Sequence, residues 1–223
     1  CNGSYQNGDY TIKCYHGTAH GAQNLIQAFA NSCNGAFAEI GMQINSEKFR
    51  ALANQMLFNS ELPYTLPYNQ STFSLDGSSD DWEKLQTAIG QGKTQITPLH
   101  NLMIVSAIAN GGTYTKPIFF TKILDRNGKI LIDNEPETRQ ALKDSTAYLL
   151  TSAMQDVMQS NTMYTRSGSG VKSTGTTAAI PNMSCAGKSG TTTSNVDVWF
   201  VGFTPYYTAG IWGGSDNNQP LKG

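Results

Sequence analysis

The sequence has little charge and no excess of either sign. Charged residues make up 14% of the 223 residues, with 15 basic and 16 acidic side chains. A nucleic-acid binder needs clustered positive charge to neutralise phosphates, so this balance argues against a nucleic-acid partner. Disordered solvating tails are rich in charge, and the low charged fraction therefore argues against a chain of that kind.

A long apolar run is also missing. The longest apolar stretch, Leu102 to Ala109, is interrupted by Ser106 and is too short to span a bilayer. The chain starts at Cys1 with no initiator methionine and no signal peptide, so we interpret it as a piece of a longer protein whose export signal or membrane anchor lies upstream. The neutral, hydrogen-bonding surface favours an extracytoplasmic enzyme, and association with the cell membrane is expected through the upstream segment that is absent here.

Cysteine is scarce, with one residue at each of positions 1, 14, 33 and 185. These positions lack the C-x-x-C pairs of zinc sites, and no metal site is predicted from them. His16 and His20 are four residues apart, but the glycines around them predict a loop and not a metal-binding helix. Two interpretations stay open for Cys1 and Cys14: a disulfide that closes a short loop, or free thiols.

The apolar periodicity changes along the chain from helical to strand-like. Helical spacing marks residues 21–30, 37–44, 46–57, 99–109 and 145–158, whereas strand-like patterns mark 118–124, 129–132, 185–191, 196–203 and 207–212. Helices followed by consecutive antiparallel strands predict an α+β fold in which helices pack on an antiparallel sheet. We expect residues 1–223 to form a single domain.

Two short motifs indicate chemistry. Ser32-Cys33-Asn34 lies between two predicted helices, and Lys188-Ser189-Gly190-Thr191 begins a predicted strand. Each is weak alone, because the first is also typical of a helix cap and the second of a strand-edge turn. Lys188, Ser189 and Thr191 on one strand offer a cation and hydroxyls, which are suited to binding a carboxylate.

In this order the motifs resemble the S-x-N and K-[TS]-G motifs of the penicillin-recognising serine enzymes. Gly90-Gln91-Gly92 with Thr97-Pro98-Leu99 is similar to the G-Q-G…T-P-L segment of penicillin-binding transpeptidases, and residues 186–205 are similar to their A-G-K-T-G-T-T…D-x-W-F-x-G-Y-T-P run. The chain is therefore identified as a member of the penicillin-binding protein transpeptidase family. The resemblance implies a β-lactamase/transpeptidase-like fold.

The resemblance also implies an activity and a site. The expected enzyme is a D,D-transpeptidase that cross-links the D-Ala-D-Ala stem peptides of peptidoglycan through an acyl-serine, binds β-lactams, needs no cofactor or metal, and takes cell-wall synthesis proteins as further candidate partners. The implied site residues are Ser32, Asn34 and Lys188 as catalytic groups, and Ser189, Gly190 and Thr191 as substrate-binding groups. Ser32 would pass a proton to the leaving amine, Asn34 would hold the substrate amide, and the Thr191 N–H would form half of the oxyanion hole.

One part of the family pattern is missing. The nucleophilic S-x-x-K motif should stand upstream of S-x-N, but the 31 residues before Ser32 do not contain it. The chain's match to the bare pattern, Ser169 to Lys172, lies in a glycine-rich stretch where a helix is improbable, and we interpret it as a coincidence. The N-terminal portion of the domain is therefore expected to be absent from this chain, which alone should be inactive.

Two alternatives stay open. A serine β-lactamase or β-lactam sensor of the same fold is disfavoured because the E-x-x-L-N motif is absent, and Glu61, the nearest candidate by position, is followed by Leu62-Pro63. The other is a non-catalytic scaffold that binds cell-wall peptides or a divisome-type partner, which a chain without a nucleophile also fits. An upstream S-x-x-K in the gene would decide between enzyme and scaffold.

Overall fold

The computed structural model describes residues 1–159, 162–164 and 170–221. Its helices are α1 (Leu25–Ala30), α2 (Asn34–Gln43), α3 (Ser46–Gln55), α4 (Asp81–Ala88), α5 (Pro98–Ala109) and α6 (Asp144–Met158). Its strands are β1 (Ser4–Asn7), β2 (Tyr10–Lys13), β3 (Thr113–Thr115), β4 (Lys122–Leu124), β5 (Ile130–Asp133), β6 (Thr138–Gln140), β7 (Thr162–Tyr164), β8 (Gly170–Lys172), β9 (Ala186–Thr191), β10 (Val198–Phe203) and β11 (Thr208–Gly213). The mixture of helices and antiparallel strands confirms the predicted α+β class.

The largest sheet has three antiparallel strands in the order β11-β10-β9. Trp199 faces Trp212 across β10 and β11, and Lys188 on β9 faces Val201 on β10. Within the described residues, β9 pairs with β10 alone and therefore forms an edge of this sheet. The strand that contains Lys188-Ser189-Gly190-Thr191 thus has one side available to another extended chain.

Helices α5 and α6 cover one face of the sheet. Val105 of α5 and Met154 of α6 form a buried cluster with Ala186 and Val201 of the sheet. Helix α5 begins as predicted, because the Thr97 side chain accepts a hydrogen bond from the His100 N–H and Pro98 occupies the first helical turn. A helix that is apolar on most sides belongs inside a protein, and α5 contacts the sheet, α6 and β3.

The N-terminal elements differ from their predicted bounds. Residues 1–20 include a hairpin of β1 and β2, and α1 begins only at Leu25. Asn24 and Gln27 form a capping box there, in which each side chain accepts a hydrogen bond from the other residue's backbone N–H, and this fixes the start of the helix. Helix α4, which the sequence analysis did not predict, begins after Asp80, whose side chain caps the Glu83 N–H.

In the part of the chain that the structure describes, no helix combines the length and the apolarity that crossing a membrane requires.

Candidate active site

Ser32 stands at the turn between α1 and α2. Its φ angle of 49° lies in the left-handed region, where a residue with a side chain costs roughly 1–3 kcal/mol. The turn is held by two backbone hydrogen bonds, from Ser32 N–H to the Phe29 carbonyl at 3.1 Å and from Cys33 N–H to the Ala28 carbonyl at 2.9 Å. These bonds present the Ser32 hydroxyl beyond the C-terminal end of α1.

Lys188 reaches this turn from the edge strand β9. Its ammonium donates a hydrogen bond to Ser32 Oγ, although the two residues are 156 positions apart in the sequence. It also donates to the Ser189 carbonyl at 2.6 Å, and its Nζ lies 5.8 Å from the centre of the Phe29 ring. The structure therefore places Ser32 of the first motif and Lys188 of the second motif in direct contact.

Burial changes the acidity of this lysine. Removal from water disfavours the charged form and lowers the pKa of Lys188 from 10.5 to about 8. Near neutral pH the Lys188 side chain is still mainly an ammonium, so it can donate a hydrogen bond to Ser32 Oγ. The Ser32 hydroxyl hydrogen stays free to be donated to another group. This arrangement suits a relay of a proton through Ser32.

The other predicted site residues lie nearby along the same two segments. Asn34 is the first residue of α2, and its side-chain amide donates to the Lys13 carbonyl at 3.0 Å. Thr191 ends β9 three residues after Lys188, and its carbonyl accepts a hydrogen bond of 3.4 Å from the Gln91 side chain. Contact with Gln91 brings the Gly90-Gln91-Gly92 segment to the end of this strand. The catalytic and binding roles of these residues stay predictions.

The two weaker candidates from the sequence are not placed at this site. Ser169 lies outside the described residues, and Gly170–Lys172 form strand β8, which pairs with β7 and is not helical. Glu61 is exposed, and its neighbour Leu62 packs in a cluster with Met103 and Tyr114.

Three of the four cysteines, from which no metal site was predicted, lie together in the structure. The Sγ atoms of Cys1, Cys14 and Cys33 and a ring nitrogen of His20 all lie within 4.8 Å of one another. The β1–β2 hairpin and the α1–α2 turn bring them together, which the spacing along the sequence did not show because no C-x-x-C pair is involved. Cys1 and Cys14 are free thiols with their sulfur atoms 3.5 Å apart, and Cys185 is free and separate from this cluster.

Two of these thiols influence each other. The hydrogen bond between Cys14 and Cys33 lowers the pKa of Cys33 to about 4, and the same bond together with burial raises the pKa of Cys14. His20 is buried beside Cys1, whereas His16 is exposed and makes an edge-to-face contact with the Tyr15 ring. His16 therefore does not join His20, which instead lies among three thiols that the sequence did not indicate as its neighbours.

Comparison with known families matches residues 1–217 to the penicillin-binding protein transpeptidase domain. Penicillin-binding protein 1A of Aquifex aeolicus is 26% identical over 213 residues, which cover 96% of this chain and 25% of that protein. Penicillin-binding protein 1A of Clostridium botulinum is 32% identical over 136 residues, which cover 61% of this chain and 15% of that protein. The chain thus spans a quarter or less of the length of these curated relatives.

Solved structures show the same similarity. The D,D-transpeptidase domain of a peptidoglycan glycosyltransferase from Eggerthella lenta superimposes with a TM-score of 0.80 at 27% identity, over 92% of this chain and 50% of that one. Penicillin-binding protein A from Mycobacterium tuberculosis, as its imipenem acyl-enzyme complex, superimposes with a TM-score of 0.76 at 25% identity, over 91% of this chain and 45% of that one. The chain therefore corresponds to about half of each of these solved chains.

Proposed function

The chain belongs to the penicillin-binding protein transpeptidase family, and from this premise we propose that it supplies the second and third motifs of a peptidoglycan D,D-transpeptidase. The nucleophilic serine of the S-x-x-K motif would come from a segment outside residues 1–223. The observation that carries the proposal is the hydrogen bond from Lys188 to Ser32 Oγ, which unites the two motifs across 156 positions. The same site would react with β-lactams.

The proposed reaction gives each group one role. The nucleophilic serine attacks the penultimate D-Ala carbonyl of a stem peptide, and the peptide bond to the terminal D-Ala breaks. The lysine of the S-x-x-K motif takes the proton of the nucleophilic serine and passes it to Ser32 Oγ as Ser32 donates its own hydroxyl proton to the leaving amine nitrogen, while Lys188 donates a hydrogen bond to Ser32 Oγ. An amine of a neighbouring stem then displaces the serine ester, its proton returns to the nucleophilic serine, and the cross-link is closed.

Substrate binding would use the exposed edge of β9. An extended stem peptide can add to such an edge through backbone hydrogen bonds. The charge on Lys188 and the hydroxyls of Ser189 and Thr191 provide donors for the terminal carboxylate, and Asn34 provides an amide for the peptide. The Thr191 N–H would stabilise the tetrahedral oxyanion, a contribution of about 3 kcal/mol for one such donor in other enzymes. We also propose that the protein binds other cell-wall synthesis proteins and is held at the membrane by an anchor upstream of this chain.

The test uses the protein that contains this chain together with its upstream S-x-x-K segment. Lys188→Ala should slow acylation by a fluorescent penicillin by about 100-fold or more, the range for a general acid–base or oxyanion group. Lys48→Ala, which changes an exposed lysine on α3, should acylate at the normal rate. A folded Lys188→Ala protein that acylates as fast as the wild type would remove Lys188 from the site.

A further inference from the structure

The three thiols and one histidine form a compact set of metal ligands. The Cys1–Cys14 and Cys14–Cys33 sulfur atoms are 3.5 Å and 3.9 Å apart, and the Cys1 sulfur is 3.5 Å from His20 Nδ1. With metal–sulfur bonds of about 2.3 Å, neighbouring sulfurs of a tetrahedral zinc site lie about 3.8 Å apart. These three distances are close to that value, and all four ligand atoms lie within 4.8 Å of one another, which is compact enough for one metal ion.

Their surroundings exclude water. Cys14, His20 and Cys33 are 3%, 4% and 0% exposed, and Cys1 is partly buried. A fully protein-ligated, buried set of three sulfurs and one imidazole is typical of structural zinc sites, whereas catalytic sites keep an open position for water. Soft thiolate ligands also disfavour magnesium and calcium, which prefer oxygen.

Backbone amides support negative charge on the sulfurs. The Gly3 N–H donates to Cys1 Sγ and the Gly35 N–H donates to Cys14 Sγ, each at 3.4 Å. Gly3 has a φ of 97°, and a Cβ atom there would lie 2.4 Å from the Gly17 carbonyl oxygen, so this close approach of the loop requires glycine. Such outer hydrogen bonds orient the ligands of metal sites and stabilise their thiolates.

We propose that Cys1, Cys14, His20 and Cys33 bind one Zn²⁺ ion, and that the ion fixes the turn that presents Ser32 and Asn34. Cys33 is the middle residue of the Ser32-Cys33-Asn34 motif, so a bond from its sulfur to the metal anchors the turn at its centre. The other three ligands tie that turn to the N-terminal hairpin and to the loop that follows it. Metal binding by these residues does not depend on the proposed transpeptidase function.

The test measures zinc bound to the purified, reduced 223-residue chain. After incubation with Zn²⁺ and removal of the excess, elemental analysis should give one zinc per chain for the wild type. Cys1→Ser, at the partly buried position, and Cys14→Ser, at a buried one, should each bind less than one tenth of an equivalent. The matched controls Cys185→Ser and His16→Ala change the fourth cysteine and the exposed histidine, and both should keep one equivalent.

Substitution with Co²⁺ identifies the ligands independently. The wild type should show the intense absorption of tetrahedral cobalt thiolate, and His20→Ala should shift or lose it. Loss of an outer hydrogen bond alone typically weakens metal binding by about 10–100-fold, so loss of a direct ligand should weaken it at least as much. Near-ultraviolet circular dichroism establishes which variants are folded, and Cys1→Ser keeps the test decisive if Cys14→Ser does not fold.

The second part of the proposal concerns the turn. Removal of the metal by a chelator should accelerate hydrogen exchange at residues 31–36 at least tenfold while exchange in β10 stays unchanged. Absence of zinc from the reduced wild type, equal zinc in Cys1→Ser, or a Cys1–Cys14 disulfide that forms in place of metal binding would overturn the site. Unchanged exchange at residues 31–36 after zinc removal would overturn its role in the turn.

Discussion

The buried ammonium of Lys188 should make folding stability depend on pH in a way that one substitution removes. The pKa of Lys188 falls from 10.5 to about 8 on burial. Between these two values the unfolded chain binds a proton that the folded chain does not bind, so the free energy of unfolding rises with pH across this window. The full shift corresponds to about 3 kcal/mol, of which about 2 kcal/mol should appear between pH 7 and pH 9.5.

Lys188→Met keeps an unbranched apolar stem and removes the charge. Urea denaturation, followed by tryptophan fluorescence, gives the free energy of unfolding of both proteins at each pH. The free energy of unfolding of the wild type minus that of Lys188→Met should increase by about 2 kcal/mol from pH 7 to pH 9.5. Other titrating groups are common to both proteins and cancel in this difference.

Lys48→Met provides the control, because Lys48 is exposed on α3. The difference in free energy of unfolding between Lys48→Met and the wild type should be the same at pH 7 and at pH 9.5. If the difference in free energy of unfolding between the wild type and Lys188→Met also stays constant from pH 7 to pH 9.5, the burial of the Lys188 ammonium against the Ser32 turn is refuted.

Two further predictions test the packing that supports the site. Thr97→Ala should lower the free energy of unfolding by about 1 kcal/mol, because the cap on the His100 N–H is lost, whereas Thr97→Ser should keep it; equal urea midpoints for Thr97→Ala and the wild type would contradict this. Gly41→Ala should destabilise the chain by about 1–3 kcal/mol despite the better helix propensity of alanine, because the new Cβ would lie 2.2 Å from Ala88 Cβ on α4. A Gly41→Ala protein more stable than the wild type would contradict the contact between α2 and α4.

The sequence predicted best those elements whose signals are local. Thr97, Pro98 and the Asn110-Gly111-Gly112 stop determine the ends of α5 through caps that involve only neighbouring residues. The strand-like patterns at 196–203 and 207–212 predicted β10 and β11 to within two residues, and these two strands pair with each other as sequence neighbours. The predicted bounds were less accurate where a helix cap, and not the apolar pattern, sets the start of a helix. The capping box at Asn24 starts α1 at Leu25, four residues after the predicted start at Gly21.

The contacts of the candidate site were harder to predict from local sequence than the helices and strands were. Contact between Ser32 and Lys188 followed from the family resemblance of two motifs, since no local rule relates residues 156 positions apart. The cluster of Cys1, Cys14, His20 and Cys33 was missed for the same physical reason. Its members come from a hairpin, a loop and a helix turn, and only the packing of these elements brings the ligand atoms together.

We propose that residues 1–223 supply the Ser32–Lys188 part of a transpeptidase site whose nucleophile lies elsewhere. Intact-mass spectrometry after incubation with a penicillin tests this on the 223-residue chain and on the protein that contains its upstream segment. We expect no covalent adduct on the chain alone, and one adduct on the longer protein that peptide mapping assigns to a serine upstream of Cys1. A stoichiometric adduct on Ser169 or Ser32, or a longer protein that forms none, would contradict the account.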